Sequence, residues 1–428
     1  MEYRRQIIED DEDDIEKSVH VPVSTTTSTS VQEFRDTSIR FHSLLSKQER
    51  LDQGIFFSPR KARDQLFNVL MRIGIIPTSI LEPSFGTGEF LLDAKQLYPH
   101  AKLYGVEKNE QLFQSVTCQE SRLTCGDFLE WKGMVDLVIG NPPYFVMKLD
   151  HLSTKEKRTF MKTYEHCMTG RPNIYILFLY KCLTEHLQEN GVLAFIIPTS
   201  LCNCVYYQPM RNYIQTHTTI LHLETLCKPG FFETGQETML LVLQKGKRND
   251  DYVFTTKTGK IYLSPFYKEL YECMKDTTTL SELGFGVKTG NVVWNEVKDK
   301  LADEGTLLIY SNNITNCTLQ LTTQCGRNEQ KKQYVKDLDK STISGPVILV
   351  DRGYGNSFHF NFVKVDLPLF YVENHLNVIY PKTRDAERNF DMIIKSFKDE
   401  RHMKFISWFL GNGSLPATDL ETLVPIFL

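Results

Sequence analysis

Apolar residues fall into two patterns along the first 250 positions. Some form short, nearly unbroken runs, such as Val135-Asp136-Leu137-Val138-Ile139-Gly140, Gly191-Val192-Leu193-Ala194-Phe195-Ile196-Ile197-Pro198 and Thr238-Met239-Leu240-Leu241-Val242-Leu243. Runs of this kind suit strands covered on both faces, as in a parallel sheet. Others repeat at helical spacing, most clearly over 173–189. The alternation predicts an α/β domain over 46–250. Its strands are expected near 79–84, 102–107, 121–125, 135–140, 191–197, 219–226 and 238–245, with helices between most of them. Beyond 250 the pattern changes to strands punctuated by glycine (284–290, 346–355, 371–375), a helix near 386–410 and a short closing segment. That predicts a second, α+β domain over 251–428. Ahead of both lies a tail, 1–45, with an acidic run at 9–14 and the tract Ser24-Thr25-Thr26-Thr27-Ser28-Thr29-Ser30. Such composition cannot bury enough apolar surface to pack, and disorder is expected.

The expected strand ends carry the candidate chemistry. Asn141-Pro142-Pro143-Tyr144 closes the run 135–140, at the carboxyl end of a strand, where open α/β sheets place ligands. Two prolines stop strand and helix alike and hold the loop extended. The loop then offers an amide oxygen, a Pro142 carbonyl and a Tyr144 ring to one small space. The two oxygens can each accept one N–H of a planar amine, and the ring can stack on its π-system. Upstream, Leu81-Glu82-Pro83-Ser84-Phe85-Gly86-Thr87-Gly88-Glu89 runs from a strand through two glycines into a helix, a turn that lets backbone approach a ligand closely. Glu107 ends the next expected strand, about twenty residues on, where a carboxylate can grip ribose hydroxyls. Cys125-Gly126-Asp127-Phe128 ends the third, with an acid and a ring suited to the edge and face of an adenine.

Taken together, these motifs resemble the S-adenosylmethionine-dependent N6-adenine DNA methyltransferases of restriction–modification type, with the TaqI-like (gamma-class) order of motifs. The likeness covers about residues 50–428. Gln53-Gly54-Ile55-Phe56-Phe57-Ser58-Pro59 is similar to the family's amino-terminal cofactor motif, with Phe57-Ser58-Pro59 where that motif usually reads Tyr-Thr-Pro. Gly170-Arg171-Pro172-Asn173-Ile174-Tyr175 and the strand 191–198 also match. Phe231-Phe232-Glu233-Thr234-Gly235 resembles the segment that supplies an aromatic lid, and counting back from the following strand favours Phe232.

The resemblance implies a Rossmann-like methyltransferase domain with a mixed seven-stranded sheet, followed by a target-recognition domain over 251–428. It implies S-adenosylmethionine held by Phe57, Ser58, Pro59, Glu82, Pro83, Gly86, Gly88, Glu107, Asp127, Phe128 and Asn141. Catalysis would rest on Asn141 and Pro142 as acceptors for the N6 amine. A flipped-out adenine would lie between Tyr144 and Phe232. No metal site is expected. In the second domain Arg352 and Asn374 are candidate base readers, and Lys331 and Lys332 candidate phosphate contacts in the loop 326–333.

Composition narrows the partner. The net charge is −4, but residues 1–16 alone carry eight acids against two arginines, so the rest is about +2. Contact with double-stranded DNA must then rest on local patches. The ten cysteines show neither a zinc spacing nor a disulfide framework. No apolar run reaches membrane-spanning length and the start is no secretory signal, so a non-secreted, intracellular monomer is expected. A companion restriction endonuclease would be a separate chain, because a tail of some 45 polar residues cannot form a nuclease domain. RNA adenine as substrate, protein glutamine as substrate, and a catalytically silent DNA-binding module are the competing readings. The large second domain weighs against a glutamine enzyme, and the intact motif residues against a silent one.

Overall fold

The computed structural model describes residues 35–116, 118, 121–150, 152–226, 237–246, 248–321, 332–353, 360–410 and 414–428. The chain divides into two compact units, Met1–Pro265 and Phe266–Leu428.

The described part of the first unit begins with three helices, α1 (Asp36–Leu44), α2 (Lys47–Gln53) and α3 (Arg60–Arg72). There follow β1 (Ser79–Glu82), α4 (Glu89–Leu97), β2 (Lys102–Glu107), α5 (Glu110–Ser115), β3 (Arg122–Cys125) and β4 (Val135–Gly140). After β4 come α6 (Thr154–Thr163), α7 (Ile174–Lys181), β5 (Leu187–Pro198), α8 (Gln208–His217), β6 (Thr218–Leu226) and β7 (Thr238–Lys245). A short hairpin, β8 (Val253–Thr255) with β9 (Ile261–Leu263), completes it. The seven long strands form one sheet in the order β3-β2-β1-β4-β5-β7-β6, with β7 antiparallel to both of its neighbours. This is the mixed, doubly wound sheet of the Rossmann-like methyltransferase class. Side chains of β4 alternate between two cores: Leu137 and Ile139 pack with Leu66, Phe67 and Leu91 of α3 and α4, whereas Val138 packs with Ile176, Leu177 and Leu179 of α7. Coverage on both faces is why the strand is apolar nearly throughout.

Local chemistry sets the helix ends. Asn109 caps α5 by accepting from Leu112 N at 3.0 Å, and Asn173 caps α7 through Tyr175 N at 3.3 Å. Two expectations change. The helix expected over 173–189 stops at Lys181, passes through a wide turn at Cys182–His186 and gives way to strand at Leu187. The apolar spacing continues past the helix because Cys182 and Leu183 of that turn and Leu187 at the start of β5 are buried in the same core, although Gln188, Glu189 and Asn190 are exposed. The tail expected over 1–45 contains α1, whose Ser38 is buried against the α4 loop. The hydrogen bonds of Ser38 and the packing of Phe41 on Phe57 and Leu112 hold this helix down, contacts with distant segments that composition does not show.

The second unit opens with α9 (Tyr267–Cys273), β10 (Thr277–Thr278) and β11 (Phe285–Thr289). It continues with β12 (Leu301–Ala302), β13 (Thr306–Ile309), β14 (Ile314–Thr315), β15 (Thr318–Leu319), β16 (Tyr334–Val335), β17 (Val347–Asp351), β18 (Phe362–Val365), β19 (Phe370–Val372) and β20 (Leu376–Pro381). Three helices, α10 (Phe390–Phe397), α11 (Glu400–Leu410) and α12 (Ala417–Thr422), and β21 (Ile426–Phe427) end it. Two four-stranded sheets, β11-β20-β17-β18 and β12-β16-β13-β19, make an α+β unit. No helix among the described residues is long and apolar enough to cross a membrane.

Candidate active site

In the first unit the chain leaves β1 toward β2 and β3 on one side and returns to place β4 on the other. The crevice between the carboxyl ends of β1 and β4 is therefore the switch point of the sheet, where such folds bind ligands. A cavity of about 450 Å³ opens there. Glu107, Asp127 and Asn141 reach it from the ends of β2, β3 and β4, and Phe57, Pro83, Gly86 and Phe128 line it as well.

The Glu107 carboxylate is almost buried. One oxygen accepts from Gly86 N at 2.8 Å and the other from Asn109 N at 2.7 Å. Burial raises its pKa and these backbone donors pull it back down. The carboxylate thus ties the glycine turn to the start of α5 while keeping lone pairs for a ligand. Asp127 caps the turn that follows it, accepting from Leu129 N at 2.9 Å, and pairs with Lys108 at 3.0 Å. No atom lies within 4 Å of where a Cβ would stand at Gly86 or Gly126, so backbone faces open space at both turns. Two strand-end acids, bare backbone and the apolar walls Phe57, Phe128 and Leu129 fit a nucleoside joined to a charged, flexible arm, as in S-adenosylmethionine.

Other expected cofactor residues act from behind the cavity wall. Glu82 is buried, accepts from Leu91 N at 3.1 Å, and has its pKa driven well up by desolvation. It therefore braces α4 against β1. Gly88 has φ +73°, and a Cβ there would stand 2.7 Å from Val116 Cγ1, so the residue is needed for close packing and its left-handed turn. Pro59 caps α3. Behind them, Arg63 pairs with Glu89 and with Asp93 (2.7 Å) and donates to Ser58 O at 2.6 Å. Ser38 of α1 donates to Glu89, and its Oγ lies 2.6 Å from Thr87 Oγ1. This buried network fixes the glycine loop; nothing in the spacing of Arg63 or Ser38 announced it.

Asn141 is oriented by its own donors. Its Nδ2 donates to Phe56 O at 3.2 Å and to Ser58 Oγ at 3.1 Å, so both N–H bonds are committed and Oδ1 is the end left to accept. The sequence placed Ser58 in the cofactor wall; here it aims the asparagine. Pro142 is buried and Pro143 faces the cavity. A Cβ at Gly54 would meet Pro143 Cβ at 2.7 Å, so the glycine of 53–59 is required for that segment to lie on the Asn-Pro-Pro-Tyr loop.

Tyr144 departs from the expected open stacking face. Its ring is 5% exposed, stacks on Phe56 (centroids 6.0 Å, 20°) and meets Tyr175 edge-on. Its hydroxyl donates toward Asn141 Oδ1 and Ile196 O, the latter at 2.7 Å. Burial raises its pKa far above the usual tyrosine value. The ring on the cavity wall beside Pro143 is Phe145, with Phe56 and Phe178. Phe56 belongs to the amino-terminal cofactor motif, whereas Phe145 and Phe178 had no motif position to mark them. The expected lid, Phe232, lies outside the described residues, as does Lys331.

In the second unit Arg352 is half-buried. Its NH1 donates to Asn374 O at 2.9 Å, Nε is buried without a partner among the described residues, and desolvation lowers its pKa. Asn374 meets Arg352 through its backbone. Lys332 pairs with Asp303 at 3.1 Å on the surface. No group of acids, histidines and cysteines with metal-binding geometry occurs among the described residues.

Residues 85–231 match the model of the Eco57I restriction-modification methylase family. The chain is 30% identical over 406 residues to the type II methyltransferase M.CvrRI of Paramecium bursaria Chlorella virus XZ-6E, covering 92% of this chain and 99% of that one. It is 28% identical over 415 residues to the modification methylase CviBIII of Paramecium bursaria Chlorella virus NC1A, covering 93% and 100%. Among solved structures it is similar to the type IIG restriction endonuclease BpuSI, at TM-score 0.38 and 12% identity over 86% of this chain and 58% of that one. With a relative of this identity matched nearly end to end, the chain belongs to the S-adenosylmethionine-dependent type II DNA methyltransferases of restriction–modification systems.

Proposed function

We propose that this chain methylates the exocyclic N6 amine of an adenine flipped out of duplex DNA. The observation that carries the reading is the fixed amide of Asn141. With Nδ2 held by Phe56 O and Ser58 Oγ, Oδ1 is poised to accept an amine N–H at the mouth of the cofactor cavity. An acceptor suits an exocyclic amine, which has two protons to donate. The adenine nitrogen is a poor nucleophile because its lone pair is delocalised into the ring. Two acceptors, Asn141 Oδ1 and the Pro142 carbonyl, would draw it toward tetrahedral geometry and turn the lone pair toward the methyl donor. When bound, S-adenosylmethionine supplies an electrophilic methyl group on a sulfonium. Glu107 and Asp127 would hold the ribose and adenine of the cofactor, with Phe128 against its face. Tyr144 would give up its contact with Asn141 Oδ1 and keep Ile196 O as its acceptor. Positioning of this kind is worth several kcal/mol without a strong base.

A base can reach a cavity at the strand ends only when it is unstacked, and Tyr144 and Phe232 are the proposed walls of its pocket. Arg352 and Asn374 would read base edges in the recognition unit, and Lys331 and Lys332 touch phosphate. The domains in this reading are a tail over 1–45, a catalytic domain over 46–250 and a recognition domain over 251–428, with a cognate endonuclease as a separate chain. Nucleoside mass spectrometry on DNA from cells expressing the chain, with Asn141→Ala as control, tests the reaction. N6-methyladenine in the first and none in the second is the expected result. Methylated adenine found only in RNA, or methylation on another base, would overturn it.

A further inference from the structure

The catalytic loop does not lead straight into α7. Between Phe145 and Asn173 the chain makes an excursion, closed at its neck by a Val146–Asn173 bridge. Met147 N to Pro172 O at 2.7 Å and Ile174 N to Phe145 O at 3.0 Å secure it. Phe145 and Ile174 both line the cofactor cavity, so the excursion springs from the rim of the active site. Residues 147–172 carry six lysines and arginines against three acids, within a chain of net charge −4.

At the centre of the excursion is α6, Thr154–Thr163, none of whose residues is buried. A Ser153–Glu156 capping box starts it, and Phe160 and Tyr164, with rings 4.9 Å apart, pack it on the core. Lys155, Arg158 and Lys162 fall within about 60° of one another and about 140–160° from Phe160 around the helix. They form one exposed cationic stripe facing away from the protein. Lys157, nearer the inner face, pairs with Asp150 at 3.6 Å; among the described residues the stripe itself meets no acid. A row of exposed cations on a segment that springs from the rim of an active site offers a polyanion several contacts at once, as a nucleic-acid backbone requires.

We propose that α6 is a phosphate-binding element that docks the DNA backbone next to the reacting base, with Lys155, Arg158 and Lys162 as its contacts. The proposal rests on duplex DNA being the substrate. It accounts for how a chain with little bulk positive charge holds a polyanion at the catalytic rim. The contacts carry no sequence information, so the target site need not be known to test them.

The triple variant Lys155→Glu/Arg158→Glu/Lys162→Glu is compared with wild type and with the charge-keeping Lys155→Arg/Arg158→Lys/Lys162→Arg. Anisotropy of a labelled, unmethylated duplex is read between about 50 and 200 mM salt. Three lost contacts should flatten the log–log salt slope by about 2–3 and weaken binding at low salt by at least roughly tenfold. The charge-keeping variant should match wild type. S-adenosylmethionine affinity, measured by calorimetry, should stay within about twofold in all three, since no α6 residue is buried. An unchanged slope in the glutamate variant would overturn the proposal. Wild type that binds the duplex with a steep slope lost in that variant, yet transfers no methyl group to DNA, would sink the catalytic reading and leave the docking surface standing.

Discussion

In the first unit Glu107, Asp127 and Asn141 stand at successive strand ends, each with some of its hydrogen bonds fixed by neighbours and the remainder turned to a cavity. In the second, Asn313 and Gln333 close on each other completely. Asn313 Nδ2 donates to Gln333 Oε1 at 3.1 Å and Gln333 Nε2 returns to Asn313 Oδ1 at 2.8 Å. Tyr310 N and Gln320 O take further capacity of Asn313. His402 is fully buried among Phe360, Phe397 and Phe427, with Ser396 Oγ 2.9 Å from Nε2 and Nδ1 without a partner among the described residues. The same residue types do chemistry where capacity is left over at an opening and hold the fold where it is used up or sealed in. Polarity alone does not mark a site; unsatisfied, oriented polarity at an opening does.

The largest expected break in this comparison is Asn141→Ala. Methyl transfer, measured by radiolabelled methyl incorporation, should fall by about 10³-fold or more, which corresponds to roughly 4 kcal/mol of barrier. The melting midpoint should change little, since the side chain is only part-buried. A loss of tenfold or less would move the catalytic role elsewhere.

Acid should act on the second unit through His402, whose pKa burial lowers to about 3 from 6.5. The folded state then binds fewer protons than the unfolded one between those values. Stability from this group is intact above about pH 6.5 and falls as pH drops, by on the order of 3 kcal/mol at about pH 4. Urea midpoints against pH should show that slope, and His402→Leu should flatten it.

Asn313→Ala would leave Gln333 Oε1 without its donor in the core, while Nε2 keeps Leu308 O. A cost of about 2–3 kcal/mol in urea unfolding is expected, with S-adenosylmethionine affinity unchanged. If cofactor affinity fell as well, the separation of fold-holding from ligand-holding groups would fail. The smallest effect belongs to Glu107→Gln, which keeps an acceptor but loses the charge. Calorimetry should show S-adenosylmethionine binding weakened about tenfold.

Much of the site was legible because its motifs are local. Asn141-Pro142-Pro143-Tyr144 and the glycine turn each sit within a few residues, and strand ends are where a parallel sheet must open. The seven strands could be read for a related reason, since burial on both faces leaves apolar runs. The Arg63 network and the α6 stripe were less visible. Arg63, Glu89 and Ser38 meet across more than twenty-five positions of sequence, and an exposed cationic helix reads in sequence like any solvated one.

The sequence by itself determined the strand order's raw material, the loop carrying Asn141, and the acids at 107 and 127. Local propensity and burial pattern are properties of short segments, so they survive in one dimension. Tertiary structure alone decided that Asn141 is aimed by Phe56 and Ser58, that Tyr144 lies beneath it, and that Ser38 secures the cofactor turn. Hydrogen bonds between distant segments depend on where the chain brings them together, and composition and spacing do not encode that position.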